Sequence, residues 1–232
     1  MKVLIIIPAF NEEGNLGELI NVVRSYGHDV IVINDCSTDN TLEVCKRHSI
    51  NHIDLPNNLG IGGAVQTGYQ YALIHEYDVA IQIDGDGQHD PTYISSLIKP
   101  ILEKRADLVI GSRYISKEGF QSSLIRRIGI MHFSFLIKML FNKKITDPTS
   151  GLRACNKSVI KLFASNYPID YPEPETIVTL LRKKFKVIEI PVKMSSREHG
   201  TSSINKIRAV YYMIKVSLAI LIDFMRKKET IK

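Results

Sequence analysis

The sequence predicts an α/β protein built on a mostly parallel, open central sheet. Short β-rich runs alternate with helical patterns over residues 3–111, which is the rhythm of a doubly wound sheet. The 232 residues, 44% hydrophobic and 23% charged, suffice for a globular domain that needs neither disulfides nor a structural metal. The three cysteines form no CxxC pair, which is typical of a reducing compartment. We therefore expect a cytosolic α/β domain.

The predicted elements follow in a regular order. Strands are expected at residues 3–7, 30–34, 52–55, 79–84 and 108–111. Helices are expected between them at residues 15–26, 38–48, 62–77 and 91–104. The second half favours a helix over 124–142, a turn at 146–151, helices near Lys157 and Thr176, a strand over 187–192 and a long C-terminal helix. The pattern divides into a domain over 1–205 and an amphipathic, basic helix over 206–232.

Polar segments follow four of the predicted strands. They cover residues 8–13, 34–39, 56–60 and 84–89. In open parallel sheets, ligands bind beyond the carboxyl ends of the strands. The sequence therefore predicts a ligand site formed by these four loops at one edge of the sheet.

The fourth loop carries a DXD motif. Asp84 and Asp86 follow a buried-looking strand, and the glycines at 85 and 87 let the backbone turn closely around a ligand. Two such carboxylates suit Mg²⁺ or Mn²⁺, which also bind substrate phosphate. The alternative is a charged turn without a ligand. His89 and His199 have no partner at metal-ligand spacing and are interpreted as loop histidines.

Two further loops suggest nucleotide binding. Asp35 directly follows the second strand, where a carboxylate can accept hydrogen bonds from ribose hydroxyls or a base edge. Asp39 is equally suited to capping a helix. The glycine-rich segment 58–64 opens a helix and can attract phosphate. Val65 replaces the third glycine of a dinucleotide fingerprint, and the chain contains no GxxxxGK[ST] sequence, which disfavours both of those nucleotide-binding classes.

In ordered combination, these loops resemble family 2 glycosyltransferases of GT-A fold, and most closely those that act on polyprenyl phosphates, including dolichol-phosphate mannosyltransferase. The resemblance continues through four later motifs and spans about residues 1–205. These motifs lie at residues 111–113, 147–153, 171–175 and 197–203.

The resemblance implies a role for each matching residue. The nucleotide-sugar would be held by Pro8, Asn11, Glu13, Asp35, Asp84, Gln88 and Arg113. The metal, Mg²⁺ or Mn²⁺, would be held by Asp84, Asp86 and Gln88. Catalytic roles would fall to Asp86, Glu175, Asp147 and Arg153. An acceptor phosphate would be held by Arg126, Arg127, Arg197 and Ser202, although the lysine usual after the serine is missing.

The implied reaction is an inverting displacement at the anomeric carbon of a hexose donated by GDP-mannose or a UDP-sugar. A polyprenyl phosphate acceptor is already ionised and needs no base. A sugar hydroxyl of a lipid-linked or cell-envelope polysaccharide needs one, with Glu175 the first choice and Asp147 the second. Pro172 and Pro174 instead favour an extended segment whose acids only precede a helix. A non-catalytic sugar-nucleotide-binding subunit is the alternative from another class.

The C-terminal segment suggests contact with a membrane surface. Residues 182–232 carry a net charge of +9, and the rest of the chain carries −3. Residues 209–225 are largely apolar but interrupted by Lys215 and Asp223, so they are too short to span a bilayer and suit an interfacial helix. The expected location is the cytoplasmic membrane face. A core or dimer helix, or a membrane-protein partner, is the alternative. Nucleic acid is disfavoured because aromatic residues are not interleaved with the basic ones.

Overall fold

The computed structural model describes residues 1–170, 172–195 and 206–225. In these residues the strands are β1 Val3–Ala9, β2 Asp29–Asn34, β3 Asn51–Asp54, β4 Val79–Gln82, β5 Leu108–Ser112, β6 Arg153–Asn156 and β7 Val187–Pro191. The α-helices are α1 Leu16–Arg24, α2 Thr41–Arg47, α3 Gly60–Ile74, α4 Ile94–Leu102, α5 Leu124–Phe141, α6 Lys157–Ser165, α7 Pro172–Arg182 and α8 Lys206–Met225. The predicted α/β class is therefore confirmed.

The strands form one mixed sheet in the order β3-β2-β1-β4-β6-β5-β7. All described neighbours are parallel except β6, which runs antiparallel between β4 and β5. Strand β6 is absent from the sequence prediction because its four residues include Arg153 and Asn156 and show no apolar periodicity. This strand sets the distance between β4 and β5, and its first residue lies opposite Gln82 at the end of β4.

Apolar side chains pack on both faces of the sheet. Along β1, Leu4 and Ile6 face one core cluster, and Val3, Ile5 and Ile7 face the other, as the two-residue period of a strand requires. The first cluster includes α3, α5, α6, α7 and α8; the second includes α1, α2 and α4. The sheet is thus covered on both sides, which leaves its strand ends as the accessible edge.

Helix α7 begins earlier than the sequence suggested. The two prolines at 172 and 174 were expected to keep the segment extended, but both lie in the first turn of the helix. Proline is tolerated there because the first N–H groups of a helix have no intrahelical acceptor. Glu173 and Glu175 are therefore helical residues whose side chains leave α7 in different directions.

Candidate active site

The loops after β1 and β2 are joined to each other. The Asn11 side-chain oxygen accepts a hydrogen bond from the Thr38 backbone at 2.8 Å. Glu13 accepts two from Asn40, at 3.0 and 2.7 Å. Asn11 has a left-handed backbone with φ of 56°, a conformation that asparagine adopts more readily than most residues. Asn11 and Glu13, predicted to hold the nucleoside, thus shape the loops that surround the strand ends.

Asp35 and the DXD segment are both attached to the end of β1. The Asp35 backbone donates to the carbonyl of Ala9 at 2.9 Å, and the Gly85 backbone donates to that of Pro8 at 3.2 Å. The buried Asp35 carboxylate accepts from the backbone of Leu59, before α3, at 2.7 Å. Burial raises the pKa of Asp35, and its backbone hydrogen bonds oppose that effect. The structure therefore places these predicted donor-site residues at one edge.

The acidic turn, residues 84–88, presents two carboxylates at this edge. Asp86 is buried and accepts from the backbone of Gln88 at 3.0 Å, and Asp84 accepts from the Gln82 amide at 3.1 Å. The Gln88 side-chain nitrogen donates to the carbonyl of Ser195 at 3.2 Å, which ties the turn to the segment before residue 196. The turn is held by hydrogen bonds on both sides.

The residues present fit a hard divalent cation that takes some of its ligands from the protein and the others from a substrate. A Cβ added at Gly151 would lie 2.4 Å from a carboxylate oxygen of Asp84, so the chain passes directly behind that carboxylate. Among the described residues, no group of three or more His, Cys, Asp or Glu side chains forms a complete metal cage. Mg²⁺ and Mn²⁺ commonly use one or two carboxylates together with substrate phosphates and water.

The turn behind Asp84, residues 147–151, is braced by charged groups that are wholly or partly buried. Arg113 binds the Asp147 carboxylate through two hydrogen bonds, Nε to Oδ2 at 2.6 Å and a terminal nitrogen to Oδ1 at 2.8 Å. Glu189 of β7 accepts from the backbone of Thr146 and Asp147, each at 2.7 Å. Burial raises the pKa of Glu189, and these hydrogen bonds oppose it. Glu189 is a further residue of this region, and the one sequence signal for it is an acidic residue between two isoleucines of a strand.

Two of the predicted catalytic residues, Asp147 and Arg153, are fully buried and bound by neighbouring groups. Asp147 is fully buried, and both of its oxygens accept from Arg113, so it is poorly placed to remove a proton from an acceptor. Arg153 is also fully buried. It donates to the carbonyls of Ser150 and Pro148 at 2.6 and 3.2 Å and to the hydroxyl of Thr176 at 2.8 Å. Arg153 therefore joins the 147–151 turn to α7.

The two acids of α7 have different neighbours. Burial raises the pKa of Glu173 to about 6, an effect that Arg153 opposes and Asp84 reinforces. Burial also raises the pKa of Glu175, to about 7; here Lys215 opposes, and the reinforcing acids include Asp223. Glu173 is thus the acid near the acidic turn. Glu175, the first choice for a base, lies on the α8 side.

The pH dependence of the free energy of unfolding should reflect the raised pKa of Glu175. Because its folded pKa lies above the ordinary value of 4.5, the native state binds the proton more tightly, and the free energy of unfolding falls as pH rises from 4.5 to about 7. We expect Glu175→Gln to melt at a higher temperature than the parent at pH 8, by roughly 4–8 °C for about 2 kcal/mol, a figure lowered to allow for solvent screening of this half-buried group, with the gain shrinking toward pH 4.5. Thermal scans of both proteins across this range, with exposed Glu118→Gln as control, measure it. A lower melting temperature at pH 8 would contradict this prediction.

The predicted acceptor-phosphate residues are only partly described. Arg126 and Arg127 lie in the first turn of α5, with Arg127 exposed and Arg126 half-buried. Arg113 donates to the hydroxyl of Ser122 at 3.3 Å, which links the strand-end region to the approach to α5. Arg197 and Ser202 lie outside the described residues.

Comparison with known proteins identifies the family. Residues 4–163 match the profile of "Glycosyl transferase family 2". The chain belongs to this family. A UDP-N-acetylglucosamine–dolichyl-phosphate N-acetylglucosaminyltransferase of Methanococcus voltae is 28% identical, over 95% of this chain and 98% of that protein. A dolichol-phosphate mannosyltransferase of Pyrococcus furiosus is 31% identical, over 93% of this chain and 64% of that protein.

Solved structures support the same fold. Glucosyl-3-phosphoglycerate synthase of Mycobacterium tuberculosis, in complex with Mn²⁺, UDP and phosphoglyceric acid, superposes with a TM-score of 0.73 at 17% identity. The match covers 99% of this chain and 80% of that protein. The chain is therefore a glycosyltransferase with the GT-A fold that the resemblance implied.

Proposed function

We propose that this family 2 glycosyltransferase transfers a hexose, with inversion, from GDP-mannose or a UDP-sugar to a polyprenyl phosphate at the cytoplasmic face of a membrane. The observation that carries the acceptor assignment is an exposed apolar surface on α5 and α8. The relatives of Methanococcus voltae and Pyrococcus furiosus are named for transfer to dolichyl phosphates and support the same acceptor class.

The donor would bind at the strand ends described above. Asp84 and Asp86, with Gln88, would hold Mg²⁺ or Mn²⁺ against the donor diphosphate. When such a cation is bound there, the charge that develops on the leaving diphosphate is neutralised. Asp35 and the acidic turn are attached to consecutive carbonyls of β1, so their relative positions are fixed before the donor arrives.

A phosphate acceptor suits the acids of this site. An ionised phosphate attacks without losing a proton and therefore needs no base. Of the two predicted bases, Asp147 has both oxygens bound by Arg113, and Glu175 interacts with Lys215 and Asp223 of α8. A sugar-hydroxyl acceptor is the second candidate. It is favoured by the acids of α7, since burial raises the pKa of Glu173 to about 6 and that of Glu175 to about 7, near the value of a working base.

The apolar face, as we name the exposed side of α5 and α8, suits the headgroup boundary of a bilayer. Its members are Leu124, Ile128, Met131, Phe135 and Met139 of α5 and Tyr211, Ile214, Leu218, Leu221, Ile222 and Met225 of α8. The two helices pack side by side, with Phe133 against Tyr212 and Phe141 against Phe224. Among the described residues, no helix is long and apolar enough to cross a membrane.

The two charges that interrupt the apolar segment 209–225 are paired with other parts of the protein. Lys215 pairs with Asp170, and Asp223 pairs with Arg182 of α7 at 3.1 Å. Asp223 also accepts from the hydroxyl of Thr179 at 3.2 Å. Within residues 211–225 of α8, both charged side chains are therefore paired with residues outside the helix, and the exposed members of the apolar face are uncharged.

Membrane binding should depend on this face. We expect the double variant Ile128→Asp, Phe135→Asp to bind vesicles containing anionic phospholipid at least about 10-fold more weakly, because burying each apolar side chain contributes roughly 1.5–3 kcal/mol. The two residues are 57% and 63% exposed, so the fold should tolerate the change. Vesicle co-sedimentation measures the binding.

The matched control is Ile74→Asp, which changes an isoleucine that is 74% exposed at the end of α3. It should bind vesicles as the parent does. Retained vesicle binding by the double variant, together with conversion of a dimer to a monomer, would assign the apolar face to a second copy of the chain instead.

The proposed reaction is tested by supplying GDP- and UDP-sugars with Mn²⁺, in the presence and absence of undecaprenyl phosphate in detergent. Formation of a glycosylated lipid supports the proposal and identifies the donor. Donor binding with no lipid product, but with transfer to oligosaccharides, would favour the hydroxyl acceptor. Binding without any transfer would favour a non-catalytic sugar-nucleotide-binding subunit.

A further inference from the structure

His89 lies immediately after the acidic turn, and one imidazole ring meets both the backbone and the side chain of Asp84. The ring is buried, with the residue 5% exposed. Its Nδ1 accepts a hydrogen bond from the Asp84 backbone at 3.1 Å. Its Nε2 lies 3.7 Å from Oδ2 of the Asp84 carboxylate. Because Nδ1 accepts, the proton of the neutral ring is carried by Nε2, the nitrogen nearer the carboxylate.

The ring is itself held in place. The His89 backbone forms an antiparallel bridge with Met194, and Ser195 donates to the carbonyl of Gln88 at 3.0 Å. A second group acts on Asp84 from another direction, since the Gln82 amide donates to Oδ1 at 3.1 Å. Gly151 packs close to the carboxylate. Asp84 is thus restrained by His89, Gln82 and the 147–151 turn.

We propose that His89 is a positioning residue that orients the Asp84 carboxylate toward the divalent cation of the donor site. At 3.7 Å the contact from Nε2 is electrostatic rather than a hydrogen bond, so it aligns Oδ2 without occupying it. The hydrogen bond at Nδ1 fixes the backbone from which the carboxylate projects. Groups that orient a metal ligand in this way typically contribute 10- to 100-fold in metal affinity. This inference rests on the proposed metal-dependent function.

The two ring nitrogens of His89 make different contacts, so three variants are needed to test them together and one at a time. His89→Phe removes both polar contacts at similar volume. His89→Asn retains a polar atom near Nδ1, and His89→Gln places an amide nitrogen near Nε2. We expect the dissociation constant for Mn²⁺ to rise about 10- to 100-fold in His89→Phe and by less in the two amide variants.

The experiment measures free Mn²⁺ by electron paramagnetic resonance while protein is titrated in the presence of GDP or UDP. His52→Gln is the control, because that half-buried histidine lies on β3 and contacts only the Ile50 carbonyl among the hydrogen-bond partners described for its ring. Thermal melts verify that each variant is folded. Turnover at saturating Mn²⁺ should recover to within a few-fold of the parent, which a merely structural loss would not do.

Two negative outcomes are distinguishable. If the parent binds Mn²⁺ and all three His89 variants bind it within about 2-fold of the parent, the positioning role is overturned and the proposed metal site stands. If the parent protein binds no Mn²⁺ with either nucleotide, the metal-dependent function fails, and the role of His89 fails with it.

Discussion

Replacing Asp86 with asparagine is expected to reduce sugar transfer by about 10³-fold or more. The change preserves shape and removes one negative charge from a buried position in the acidic turn. A preorganised electrostatic contact to a developing charge is typically worth 10²- to 10³-fold, and a lost metal ligand adds to that. Initial rates at fixed donor and acceptor, over a range of Mn²⁺ concentrations, measure the effect.

The matched control is Asp90→Asn, in the same loop. Asp90 accepts from the backbone of Thr92 at 2.9 Å and caps the short helix that begins at Pro91. Asparagine caps helices about as well as aspartate, so this variant should keep its activity to within roughly 3-fold. If Asp86→Asn retains more than a tenth of the parent rate, Asp86 has no essential role in the catalytic centre.

Arg153→Met is expected to cost about 3–5 kcal/mol of folding free energy. The arginine is fully buried, and its loss leaves the carbonyls of Ser150 and Pro148 and the hydroxyl of Thr176 without this donor. Each buried polar group deprived of its partner typically costs about 1–3 kcal/mol. The loss also removes the positive charge that lowers the pKa of Glu173. Urea unfolding followed by circular dichroism measures the change.

Arg105→Met is the control for this prediction. Arg105 is exposed and pairs with Glu103 on the surface, so its replacement should change stability by less than about 1 kcal/mol. If Arg153→Met unfolds at the parent urea concentration and yet loses activity, Arg153 acts on the substrate rather than as a brace for the 147–151 turn.

The sequence predicted the parts of the site that depend on local order. Asp84 and Asp86 are separated by one residue after a strand, and parallel strands bring their carboxyl ends to one edge, so spacing alone indicated the acidic turn and Asp35. The same reasoning failed for β6, because a four-residue strand begun by arginine has no periodic signal and forms only where β4 and β5 leave room for it.

Contacts across the chain decided the roles of the charged residues. Arg113 and Asp147 are 34 positions apart, and only the folded chain shows that Arg113 donates to both carboxylate oxygens of Asp147. His89 was interpreted as a loop histidine because sequence offers no way to see that its ring turns back onto Asp84. Burial and pairing are properties of the folded chain, so composition does not reveal which acid stays available.

By itself, the sequence determined the α/β class, the order of strand-end loops and the family to which they belong, because apolar periodicity and short motifs are local. The tertiary structure alone decided that Glu173 rather than Glu175 lies near the acidic turn, and that Lys215 and Asp223 face the protein. The physical reason is the same in both cases. The direction of a side chain on a helix has consequences only once a second element packs against that helix, and here those elements are β6, α7 and α8.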